Sequence, residues 1–150
     1  MFIHDSRLLS SFLCEYGALK PVGWQVLAES LMKHMESGSL VVRSHMFWTA
    51  PRLFWEMPQS LASDLSEARL IIVKGDANYR RLVGDCDWPL STPLSEVVTP
   101  WFPAPLLALR MLKAEIALGI SEDVAAAARA KDGDWMVNGK FAQIQFVGKE

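Results

Sequence analysis

"ARLIIVKGDANYRRLVGD", residues 68–85, is the stretch on which the reading of this chain turns. Leu70-Ile71-Ile72-Val73 carries no polar residue and breaks directly into Lys74-Gly75-Asp76, followed by Asn78, Tyr79, Arg80 and Arg81. A short uninterrupted apolar run suits a strand that passes through the interior. Ala77 to Val83 suits a helix closed by Gly84. The junction between them has two readings. Asp76 can simply cap the helix, with the arginines on its solvated face. Alternatively, the junction is a ligand site, because open α/β sheets bind ligands beyond the carboxyl ends of their strands and helix N-termini there offer N–H groups to anions. Asp76 and Asn78 would supply hard oxygens suited to Mg²⁺ or Mn²⁺. Arg80 would supply a planar fork for phosphate, and Gly75 would admit close backbone approach.

The whole chain narrows the function classes. Its 150 residues fit one domain with a real core, and 51% hydrophobic with 21% charged residues is a globular composition. No apolar run approaches the roughly 20 residues of a membrane span, and the N-terminus lacks the basic-then-apolar order of a secretory signal. Cys14 and Cys86 have no CxxC or CxxH spacing, so they read as reduced thiols and the expected location is the cytoplasm. Net charge is −2 with scattered basic residues. That leaves no basic stripe for nucleic acid.

Outward from the opening stretch, the pattern alternates strands and helices. Phe2-Ile3-His4 reads as the end of a strand, residues 24–35 as a helix broken at Ser37-Gly38-Ser39, and Leu40-Val41-Val42 as a strand. The aromatic, proline-bearing segment 44–61 reads as a structured loop, with a short helix starting at Ser63-Asp64. After 88–105, a proline-punctuated connection, Leu106 to Leu118 reads as a helix ended by Gly119. Ser121 to Ala130 reads as a helix N-capped by Ser121, and 139–148 as a strand. The sum is an α/β fold with a mainly parallel sheet.

Other candidate sites carry bland readings beside functional ones. Arg110 and Lys113, three apart on the expected helix, would face one side together, whether as a ligand site or as a solvated face. Phe47, Trp48, Phe54 and Trp55 read as packing ahead of a sugar-stacking wall. His45 has no second ligand at metal spacing and reads as structural. No GxSxG, P-loop or dinucleotide glycine motif is present.

Three stretches together resemble one family. "SHMFWTAPRLFWEMP" is similar to its histidine–aromatic–tryptophan–threonine segment. "LIIVKGDANYRRLVGDCDWP" is similar to its lysine–glycine–aspartate strand and loop, and "FPAPLLALRMLKAEIALG" to its arginine–threonine–x–lysine motif. The terminal "DWMVNGKFAQIQF" resembles the family's end. The family is the metal-dependent damage-control phosphatases, in the subgroup also called acidic residue methyltransferase. The resemblance implies a three-layer α/β sandwich that hydrolyses small phosphate monoesters such as sugar phosphates with a divalent metal (Mn, Co, Ni or Mg). It carries the substrate loop onto Asp76, Ala77, Asn78, Tyr79 and Arg80, with Asp76 also catalytic. It carries the phosphate-binding basic residues onto Arg110 and Lys113. Met111 stands where the family has threonine.

The resemblance also implies an incomplete domain. The family holds its metal with an adjacent Asp-Asn pair and an aspartate one strand later. This chain has no Asp-Asn dipeptide, and Asp5 in "FIHD" matches the later aspartate as the single family metal ligand. One carboxylate holds Mg²⁺ or Mn²⁺ weakly. The chain is therefore expected to be the C-terminal part of a longer domain, lacking the family's N-terminal helical region and first strands. Its expected partners are a small phosphorylated metabolite and either a second chain supplying the missing half or another copy of itself. Two other functions remain open. One is transfer of methyl groups from S-adenosylmethionine to protein carboxylates, and the other is phosphate-ligand binding without catalysis.

Overall fold

The structure is a computed structural model that describes residues 22–148. It divides into two units, Met1–Ala50 and Pro51–Glu150. The expected strand end at residues 2–4, and with it Asp5 and Cys14, lies outside the described residues.

In the first unit, α1 spans Val22–Glu36, with Lys33 and His34 in its last turn where cations suit the helix dipole. Gly38 then turns at φ +73°. The strand expected at Leu40-Val41-Val42 is irregular chain. β-Branched residues favour a strand only where a neighbour offers a pleated surface to pack on. The short helix α2, Met46–Thr49, is capped by His45, whose Nδ1 accepts from the Phe47 amide at 3.1 Å. His45 therefore has a structural role here.

The second unit begins with a 3₁₀ turn at Phe54–Glu56 and helix α3, Gln59–Ser66. Strand β1, Ile71–Lys74, leads into α4, Asp76–Val83. Within the proline-rich connection lies a short helix the sequence did not announce, α5, Leu94–Val98, followed by β2, Leu106–Met111. Helix α6, Glu122–Lys131, and strand β3, Ala142–Val147, complete it. Gly84 closes α4 at φ +84°, as the sequence predicts. Ser121 does stand at the N-cap of α6, but its side chain makes no capping hydrogen bond.

The largest departure is at 106–118. Six of these residues form a strand, and the remainder is a loop. Leucine, alanine and methionine favour helix, but propensity is a weak prior against a full ladder. Here Ile71 pairs with Leu106 and Lys74 with Leu109 in parallel, while Leu106 pairs with Val147 and Met111 with Ala142 antiparallel. The sheet order is β1-β2-β3. The expected mainly parallel sheet is thus a small mixed one over the described residues. β1 to β2 crosses through α4 and α5 and stays parallel, and β3 returns antiparallel on the other side of β2.

The two sheet faces differ. Val73, Leu106, Ala108, Arg110 and Val147 point to one face and are buried. On that side α4 packs on β1 and β2, and α5 on α4 and β3. Tyr79, Leu82, Val83, Leu94 and Val98 fill the space between. On the opposite face Ile72 is 58% exposed, Met111 43%, Ile144 76% and Phe146 66%. A second cluster joins the loop after β2 to α6 and the segment before β3: Leu112, Ala117, Ile120, Ala125, Ala128 and Trp135, with Leu90, Met136 and Phe141 against it.

Candidate active site

Parallel pairing brings the carboxyl ends of β1 and β2 side by side, so the residues following each strand share one edge of the sheet. The Gly75 amide extends the ladder by donating to Leu109 O at 2.8 Å, and glycine holds φ +101° there. That turn sets Asp76 as the first residue of α4, with Gly75 rather than Asp76 at the cap position. The Asp76 carboxylate does not cap the helix, and its Oδ1 lies 2.9 Å from Arg110 Nη2 on β2 and 3.4 Å from the Lys113 amide.

A cleft of about 370 Å³ opens at this edge. Lys74, Gly75 and Asp76 line it from the end of β1 and the start of α4, Leu109, Arg110, Met111 and Lys113 from β2 and its loop, and Ala142, Gln143 and Ile144 from β3. Lys113 is exposed, and its stem runs beside Gly139, where an added Cβ would come within 3.3 Å of Cε.

Beneath the cleft sits a buried polar network. Arg110 donates from Nη1 to Ile116 O at 2.6 Å, and its Cζ stacks 4.3 Å from the centroid of the Tyr79 ring. Tyr79 donates to Gln145 Oε1 at 2.8 Å, and Gln145 Nε2 and Gln143 Nε2 both donate to Leu118 O. Burial pushes the Tyr79 hydroxyl up to about 12, against the pull of Arg110. Burial likewise lowers the Arg110 guanidinium, with Asp76 opposing it.

Of the residues named from sequence, Asp76, Arg110 and Lys113 meet at the cleft, and they do so without the helix expected for the last two. Ala77, Asn78, Tyr79 and Arg80 follow Asp76 along α4 and are not among the lining residues. Asn78 donates to Lys74 O at 3.0 Å. Arg80 holds Asp85 with two contacts of 2.6 Å, which keeps the Asp85 carboxyl below the usual aspartate range. Lys74 and Gln143 also line the cleft, and the sequence reading gave neither of them a role. The signal for Gln143 was present: two glutamines alternate along β3 on the face that carries the core.

A divalent cation does not fit the described residues. Oδ1 of Asp76 already faces a guanidinium, Lys74 and Lys113 flank the cleft, and no group of three histidine, cysteine, aspartate or glutamate residues among the described residues could hold a metal. No helix among them is long and apolar enough to cross a membrane.

The damage-control phosphatase ARMT1-like domain model matches residues 4–127. The chain is 37% identical over 119 residues to human damage-control phosphatase ARMT1, covering 77% of this chain and 27% of that protein. The zebrafish protein of the same name is 38% identical over 127 residues, 82% of this chain and 28% of its own length. The Xenopus laevis protein is 36% identical over 116 residues, 75% and 26% respectively. The chain thus spans about a quarter of the curated relatives it matches. On the family model, which matches most of its length, and on these identities, the chain belongs to the ARMT1-like damage-control phosphatase family.

Proposed function

We propose that this chain forms the phosphate-ester-binding part of a phosphatase acting on small phosphate monoesters such as sugar phosphates. The observation that carries the reading is Asp76 and Lys113 converging on one cleft at the carboxyl ends of a parallel strand pair, in a member of a phosphatase family. The Lys113 ammonium neutralises phosphoryl oxygens, and the first N–H groups of α4 face the same edge with the positive end of its dipole. Asp76 orients a substrate hydroxyl or a water, and Arg80 becomes available to an anion on leaving Asp85.

The divalent cation such a phosphatase uses (Mn, Co, Ni or Mg) would bind through Asp5 and through ligands outside this span. The full domain is then a three-layer sandwich, whose other layer covers the sheet face bearing Ile144 and Phe146. A second chain, or another copy of this one, would supply that layer.

The test is phosphate release from glucose 6-phosphate by the purified chain in each of these metals or EDTA, beside Lys113→Ala and Asp5→Asn. Metal-dependent turnover lost in both variants supports the reading. Saturable binding of glucose 6-phosphate without metal and without turnover would replace it with a non-catalytic binder. Label passing from S-adenosylmethionine to protein carboxylates, with no phosphate released, would replace it with the transferase.

A further inference from the structure

Arg110 lines the cleft from beneath yet offers it nothing. Its side chain is 0% exposed, and Nε and Nη2 are sealed from solvent with no aligned hydrogen-bond acceptor. Nη2 stands 2.9 Å from Asp76 Oδ1, close enough for an ion pair, at an angle outside hydrogen-bond geometry. Nη1 is committed to Ile116 O, and the Tyr79 ring covers one face of the guanidinium. A phosphate in the cleft cannot reach a group so enclosed unless its neighbours move.

A buried cation with donors left over is a poor source of stability, since well-packed apolar groups often serve as well. What Arg110 does supply is geometry. One contact fixes Oδ1 of Asp76 at the head of α4. Another fixes the 112–118 loop, whose Lys113 amide leans on the same oxygen. A single side chain thus sets the spacing between the carboxylate and the lysine that a ligand meets. Oδ2 of Asp76 makes no hydrogen bond among the described residues, and Asp76 lines the cleft.

We infer that Arg110 is a positioning residue, acting through Asp76 and the Lys113 loop and not as a phosphate ligand. The inference rests on the phosphate-ester reading above. Asp76→Asn, Arg110→Met and the double variant are titrated by NMR with inorganic phosphate and with glucose 6-phosphate, of which only the second brings hydroxyls for Asp76. Each single variant weakens glucose 6-phosphate about tenfold, the scale of a hydrogen bond to a charged group. The double variant is no weaker, because both changes remove one coupled unit. Inorganic phosphate stays within about threefold, since the flexible Lys113 stem finds it again. Arg110→Lys, which keeps the charge and loses the fork, follows Arg110→Met.

Two results overturn this: inorganic phosphate weakened about tenfold by Arg110→Met, or an effect that adds to Asp76→Asn. A ligand-free arm separates the clamp from the reading of the site. Exchange of the Lys113 amide quickens about tenfold in Arg110→Met, on the same hydrogen-bond scale, while Trp135 is unchanged. If neither probe binds the wild-type chain, the phosphate-ester reading fails and the exchange result alone decides the clamp, unchanged exchange overturning it. Failure of both Arg110 variants to fold would also overturn it, in favour of a purely structural arginine.

Discussion

The hydroxyl of Tyr79 and the amide of Gln145, 66 residues apart in the chain, meet at 2.8 Å and tie the helix after β1 to the far strand of the sheet. The same ring lies against Arg110. Floor, helix and third strand of the site are therefore one connected piece.

That contact predicts an alkaline limit. The ordinary tyrosine value is 10, and burial raises Tyr79 to about 12 in the folded chain. A raised value favours the protonated form, so this stability is fully present below pH 10 and is lost as the pH climbs towards 12. Two pH units correspond to about 3 kcal/mol at most. In urea unfolding from pH 8 to pH 12, Tyr79→Phe should start about 1 kcal/mol less stable, because Gln145 loses its donor. The gap should close and reverse as the pH rises. A gap constant with pH counts against the assignment.

Gly84 predicts a coupled loss. It holds φ +84°, and a Cβ there would lie 2.0 Å from Cη2 of Trp55. Gly84→Ala should lose about 1–2 kcal/mol from the left-handed backbone and more from the collision. Adding Trp55→Ala should restore only the collision part, visible as a partial recovery of the urea midpoint. Full recovery would mean that the backbone carries no strain.

Asp85 predicts an acid effect. Its hydrogen bond from Arg80 depresses the carboxyl, so the stability it contributes is present above the ordinary value of 3.8 and disappears as the pH falls below it. Asp85 itself sits at φ +48°, a region asparagine also tolerates. Asp85→Asn should lower the urea midpoint slightly at pH 7, less in high salt, and not at all near pH 2. A midpoint difference surviving at pH 2 would point to backbone, not charge.

The exposed sheet face predicts a change in association without a change in fold. Ile144→Glu with Phe146→Glu alters residues that are 76% and 66% exposed. Surface changes of this kind usually shift stability by about 0.5 kcal/mol or less. Sedimentation velocity from 10 µM to 1 mM should show less self-association in the double variant. Equal association in both would move the contact off this face.

Much of the site was legible and part of its scaffold was not. The apolar run 70–73, Gly75 and Gly84 announce strand, turn and helix through local rules, and α4 and β1 follow them. Residue type and spacing left Asp76 and Lys113 open between a bland and a functional reading, and motif likeness, which records residue and spacing but not conformation, favoured the second. β2 was misread because Leu106-Leu107-Ala108-Leu109 satisfies a helical pattern as well as a strand. The choice was made by partners more than 30 residues away on β1 and β3. One clue lay in the connection itself: a parallel strand followed by helix requires a second strand to return to. The buried guanidinium was invisible, since nothing in "RMLK" tells a solvated arginine from one sealed under a tyrosine.

A partner on the exposed face would make heat resistance depend on dose. Any molecule that covers Ile72, Met111, Ile144 and Phe146 in the folded chain, and ignores the unfolded one, raises the melting temperature by mass action. For such a chain a single Tm is not a constant of the sequence. It becomes a titration curve, read against the concentration of whatever lies on that surface.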